Sequence, residues 1–277
     1  MPESSINTSW SRTQRILKLI KSTILFVSIA LMGGAASHAD TLALIQDAAS
    51  NDNAPAVPEP AKSSNWFMTA AVGGNLLLDA EFKSDSDAKI KFKTGVGSVL
   101  GVGYRFSKNW SVDFQTGLNW NSIDEISATG FEGTDPVTAT GGSGNVYQVP
   151  IMANATWSIP LNDKTSIALS AGIGAQWTNF NINDVQFSSA TLGKLATVEF
   201  SNNSMAFRYQ AGIQLANQVA PNIHVGFGVR ISGTTEVNIG PGTAYPVTGG
   251  SSPYTDSDQK LNRLFNISFG LGVRIDF

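Results

Sequence analysis

From residue 65 onward the chain repeats with a period of two. No feature narrows the possible folds more, because only a strand sends successive side chains to opposite faces. In one segment Trp110, Val112, Phe114, Thr116, Leu118 and Trp120 share a face, and Ser111, Asp113, Gln115, Gly117, Asn119 and Asn121 share the other. The last segment repeats this, with Phe265, Ile267, Phe269, Leu271, Val273, Ile275 and Phe277 set against Asn266, Ser268, Gly270, Gly272, Arg274 and Asp276. Comparable registers occupy 147–159, 167–177, 207–215 and 223–231, with weaker ones at 66–73 and 96–106. Together they predict eight strands.

The connections alternate in length. Short ones lie at 107–109, 160–164 and 217–222, whereas 79–89, 121–145, 178–204 and 233–262 are long and rich in Gly, Ser, Thr, Asn and Asp. That pattern predicts an all-β, eight-stranded, antiparallel up-and-down transmembrane barrel with short periplasmic turns and long extracellular loops.

A soluble ligand-binding barrel also alternates, so the polarity of the interior has to decide. Gly97, Gly101, Gly103, Gly117, Gly172, Gly174, Gly212, Gly226, Gly228, Gly270 and Gly272 share the polar register with Ser, Asn, Gln and Arg. Such an interior is no hydrophobic core, so the apolar face is expected to meet lipid. Trp66, Trp110 and Trp157 stand beside short turns or the chain's entry, and Trp120 and Trp177 beside long connections, as two membrane-interface girdles would. Pro150 inside a strand predicts a bulge there, because proline donates no ladder hydrogen bond.

Residues 1–39 read as a cleaved signal peptide: Arg12, Arg15, Lys18 and Lys21 precede the apolar run 22–36, and Ser37-His38-Ala39 supplies small residues for cleavage after Ala39. Residues 40–64, with Pro55, Pro58 and Pro60, read as a flexible periplasmic lead, and 65–277 as the barrel. The chain has no cysteine, which removes disulfides, thiolate metal sites and a lipoprotein anchor. With a net charge of −3 there is no basic face for nucleic acid.

Little in the sequence points to chemistry. His38 leaves with the signal, and His224 follows a short turn, where a lumen hydrogen bond is expected rather than catalysis. The carboxylates Asp124, Glu125, Glu132, Asp135, Asp184, Glu199, Asp256 and Asp258 match no calcium-loop spacing and are expected to be solvated. No cofactor or metal is expected. The inward register carries Arg105, Asp113, Arg208, Arg230, Arg274 and Asp276, with Arg208 and Arg230 the higher in the barrel. These form either a hydrogen-bonded plug or a narrow basic constriction that favours anions.

The terminal Phe277, with Ile275, Val273 and Leu271, resembles the C-terminal assembly signal of outer-membrane barrels. The stretches 147–154 (YQVPIMAN) and 171–175 (AGIGA) resemble middle strands of the small opacity-protein and OmpX-like barrel group. The resemblance covers about 65–277. It implies a Gram-negative outer membrane, surrounding lipid and lipopolysaccharide, recognition of the last strand by the barrel-assembly machinery, and an extracellular ligand or host surface as a possible partner. The function expected is that of a non-enzymatic scaffold for surface loops serving adhesion, surface recognition or envelope integrity. A porin-like channel for ions or small solutes through the arginine-rich lumen is the alternative, and a lipid-modifying enzyme a more distant one.

Overall fold

The computed structural model describes residues 64–83, 87–132, 135–247 and 252–277. The predicted signal with His38, and residues 40–63 of the lead, lie outside the described residues, as do the side chains of Glu132 and Asp256. Every regular element among the described residues is a strand. In order they are β1 (Trp66–Leu77), β2 (Ala80–Glu81), β3 (Lys89–Phe92), β4 (Gly95–Arg105), β5 (Trp110–Glu132), β6 (Asp135–Pro160), β7 (Thr165–Ser189), β8 (Gly193–Ala220), β9 (Ile223–Thr234), β10 (Val237–Pro246), β11 (Tyr254–Leu261) and β12 (Phe265–Asp276).

Eight of these close a ring in the order β1-β4-β5-β6-β7-β8-β9-β12, with every neighbour antiparallel. Closure runs from Phe67 opposite Asp276 to Leu77 opposite Asn266. These are the eight segments that alternation predicts, and closure leaves no edge to aggregate. The short connections are tight turns. Asn162 Oδ1 accepts from the N–H groups of Lys164 and Thr165, and Ser107 Oγ from those of Asn109 and Trp110.

The long connections carry strand over much of their described length. β5, β6, β7 and β8 run for 23, 26, 25 and 28 residues, so 121–145 and 178–204 are mostly continuations of ring strands. Above the ring β3 pairs with β5, β2 with β3, β10 with β8, and β11 with β10. A bridge between Phe82 and Leu261 then joins the two free ends. Beside it the Lys83 N–H donates to the Lys260 carbonyl (2.8 Å) and the Asn262 N–H to the Glu81 carbonyl (3.0 Å). Lys83 and Lys260 both bond Glu236 across this seam, holding its carboxyl below the usual range. A second ring therefore stands on the first, sharing four strands with it.

Polarity inverts between the two tiers. In the lower tier the outward face is apolar, and Phe114 keeps 68% of its surface exposed. In the upper tier the inward face is apolar: Ile90, Ile126, Val146, Phe180, Ile182, Val185, Val237, Ile239, Leu261 and Leu264 form one buried cluster. The outward face there is Asn179, Asn181, Ser201 and Asn203. Water accounts for both arrangements, since apolar surface turns away from it wherever it is present. The lower belt must face hydrocarbon. Trp110 and Trp120 stand ten residues apart on β5, which at about 3.4 Å per residue and a tilt near 40° spans roughly 25 Å, the height of an outer-membrane belt.

β6 carries no bulge at Pro150. Pairing with β5 lapses there and resumes in the same register, Thr116 opposite Ile151 and Asn119 opposite Gln148, while Pro150 still pairs with Gln176 of β7. The missing proline donor is absorbed by a gap in one ladder.

Curvature is set by inward glycines. At Gly174 an added Cβ would lie 2.0 Å from the backbone oxygen of Ile151, whereas at Gly130 it would meet nothing within 4 Å. Gly174→Ala is therefore expected to cost about 1–3 kcal/mol through backbone displacement. Gly130→Ala should be neutral or stabilise by up to about 1 kcal/mol. Urea midpoints of the two variants in phospholipid vesicles check the contrast.

Candidate functional sites in the lumen and above the belt

The six inward charged residues do not converge on one ring. At the short-turn end Asp276 gathers three partners: Arg105 Nη2 donates to its Oδ2 (2.8 Å), Arg274 Nε to its Oδ1 (2.8 Å), and His224 Nε2 lies 3.2 Å from Oδ2. The Arg274 guanidinium also sits 3.7 Å from the Phe67 ring centroid. His224 is thus a lumen hydrogen-bonding group beside a paired carboxylate. Higher up, Asp113 accepts from Asn154 (2.8 Å), which in turn accepts from Gln210 (2.6 Å). Arg208, 2% exposed, donates to Gln176 and to Ser232 (2.7 Å).

Arg230 differs from the rest. Its guanidinium makes no hydrogen bond within the protein, and its nitrogens are not among the sealed polar atoms. It lines both a lower cavity of about 440 Å³, which reaches the turn residues Lys108, Asn162 and Lys164, and a small glycine-lined cavity of about 120 Å³ above.

Across the top of the lumen runs a layer of hydrogen-bonded side chains. Asn75 Nδ2 donates to Asn121 Oδ1 (2.6 Å) and Asn266 Oδ1 (3.0 Å), Asn121 Nδ2 returns to the Asn75 carbonyl (3.0 Å), and Ser268 donates to Asn75 Oδ1 (2.8 Å). Gln148 and Gln176 are buried beside this layer. Directly above begins the apolar core, with Val146 and Phe180 as cross-strand partners. Alternation tells which face a residue takes but not which neighbours share its height. These amides could have been recognised only from the register.

The predicted interface aromatics occupy two levels of the outward face. Trp66 meets Tyr104 edge-on at 5.3 Å, and Trp110 and Trp157, paired across β5 and β6, stack at 6.3 Å. Trp120 donates to Asn145 Oδ1 (3.1 Å), and Trp177 lies half-buried opposite Val149. In the last strand Val273 pairs with Ala70 and Val225, Ile275 with Met68 and Ile223, and the Phe277 N–H donates to the Trp66 carbonyl (3.1 Å). Above the belt Leu192, at the β7–β8 tip, is 71% exposed, and Tyr245, Val247 and Tyr254 are exposed around β10 and β11. Carboxylates of this tier find partners, Asp124 with Lys93 (3.6 Å), Glu125 with Lys91 (3.0 Å) and Asp135 with the hydroxyls of Ser189 and Thr191. No group of three acidic, histidine or cysteine side chains suited to a metal occurs among the described residues.

The family described as "Outer membrane protein beta-barrel domain" matches residues 54–274. No curated protein sequence matches the chain. Among solved structures, the chain is similar to Neisserial surface protein A at 12% identity and a TM-score of 0.43, over 78% of this chain and 100% of that one. It is also similar to Ail, the attachment invasion locus protein of Yersinia pestis, at 14% identity and a TM-score of 0.34, over 76% and 98%. For OprG of Pseudomonas aeruginosa the values are 10% identity and a TM-score of 0.36, over 77% and 97%.

Proposed function

The chain belongs to the outer membrane protein beta-barrel domain family, and from that premise we propose that it is a non-enzymatic outer-membrane scaffold whose upper tier recognises other surfaces. The observation that carries this reading is the apolar core above the lumen, where Val146, Phe180, Ile182, Val237, Ile239, Leu261 and Leu264 are each essentially unexposed. A water-filled pathway through such a core would strip ions of hydration with nothing to replace it. The second ring instead holds Leu192, Tyr245, Val247 and Tyr254 in water on the outer side, and these apolar side chains are the groups through which a partner surface is contacted in this reading. Lipid and lipopolysaccharide surround the belt in this reading, and the assembly machinery engages the strand ending in Phe277.

A narrow anion channel draws support from the lower cavity and its arginines. Single-channel recording of the refolded protein in a planar bilayer separates the two. The scaffold reading expects stable insertion without conductance steps; discrete steps with anion selectivity would replace it with the channel.

A further inference from the structure

We propose that the lower cavity is a binding site for a small oxyanion, a carboxylate or a phosphate, admitted from the periplasmic end and received by Arg230. The cavity, of about 440 Å³, runs from the turn residues Lys108 and Lys164 inward to Arg230. Arg230 stands six residues above His224 on β9, about 15 Å up the barrel at the usual rise and tilt. It is the deepest cationic group of the chamber.

Three observations converge on an anion. First, the other lumen cations have protein acceptors: Arg105 and Arg274 share Asp276, and Arg208 has Gln176 and Ser232. Arg230 makes no hydrogen bond to the protein, has the Asp113 carboxylate only as a charge at a distance, and its guanidinium nitrogens open onto the cavity. A guanidinium held away from bulk water without an acceptor is costly, and its planar fork of donors matches a carboxylate or phosphate. Second, the lining charge is unbalanced. Arg105, Lys108, Lys164, Arg230 and Arg274 face only Asp113 and Asp163, and Asp276 behind the wall still leaves five cations against three carboxylates. Third, the Asn75 layer and the apolar core stand above the chamber, whereas Lys108 and Lys164 line its turn end, so an anion is admitted past cations on its way to Arg230. The site faces the periplasm and stands independently of what the upper tier binds.

The test uses the full chain refolded in detergent and titrated calorimetrically with inorganic phosphate and, separately, with succinate. Saturable binding is expected for the wild type, and the tighter of the two probes tells phosphate from carboxylate. Arg230→Gln should weaken binding about tenfold or more, and Arg263→Gln, at an exposed site beyond β11, should leave it unchanged. Should Arg230→Gln fail to fold, as judged by its gel mobility without boiling, Arg230→Lys keeps the charge, gives up the fork and should bind several-fold more weakly. Absence of saturable binding of both anions by the wild type, or wild-type affinity in the Arg230 variant, overturns the proposal.

Discussion

Truncating Phe180 to alanine is expected to destabilise the upper tier by about 3–5 kcal/mol, the usual cost of deleting a buried aromatic side chain. Phe180 has 0% of its surface exposed and lies opposite Val146 of β6 and Asn202 of β8, within the cluster that includes Ile182 and Val185. Its ring is among the largest apolar groups in a core shared by eight strands. The strands β2, β3, β10 and β11 lie outside the lower ring and hold their places through that core, through the ladders of β3 on β5 and β10 on β8, and through the Phe82–Leu261 seam. Loss of the ring should open the upper tier locally while the lower ring, held by its own closure, persists. The expected readout is protease cleavage within 122–145 and 179–203 of a protein that still migrates as a folded barrel. Full protease resistance of the variant would show that the apolar core does not hold this tier together.

The lower ring was legible in the sequence for a physical reason. Its outward side chains meet hydrocarbon and its inward ones do not, so apolar and polar residues alternate at every strand, and aromatic residues mark both ends of the belt. The upper tier has the composition of loops because its outward face meets water. Asn179, Asn181, Asn183, Ser201 and Asn203 give 178–204 the composition of a loop, and composition outweighed the buried partners between them. The order Asn-Phe-Asn-Ile-Asn at 179–183 was in fact the same alternation with its faces exchanged. Bulges then hid its continuation. Between Ile182 and Val185 the register with β8 shifts and Asp184 takes φ 61°, so two inward residues stand three apart rather than two. A further shift between Lys91 and Phe92 does the same against β5.

The lumen divides along similar lines. Inward placement of all six charged residues follows from alternation, and so does the low position of Arg105, Arg274 and Asp276. Their pairing does not, because Arg105 meets Asp276 only when β1 closes on β12 and β4 lies beside it, a consequence of ring closure and shear. For the same reason Arg230 could be placed on the inner face but not recognised as the one inward guanidinium without a protein acceptor among the described residues. Paired charges stand low in the lumen and amides high, with Arg230 between them.

Phe114→Arg is expected to cost about 2–4 kcal/mol, whereas Ser201→Arg should stay within about 0.5 kcal/mol of the parent. Both positions are outward and exposed, so burial within the protein cannot separate them. What separates them is the medium. Phe114 lies four residues above Trp110 and six below Trp120, near the middle of the belt, where a guanidinium must either snorkel or draw water into the hydrocarbon. Ser201 lies above the upper girdle, paired with Asn181 on a face already lined by amides and hydroxyls. Reversible urea unfolding in phospholipid vesicles, followed by tryptophan fluorescence, measures both. Equal costs would mean that the plane of polarity inversion is not the membrane boundary. A large cost at Phe114 alone fixes that boundary between the two tiers, and with it the side of the membrane on which the apolar core stands.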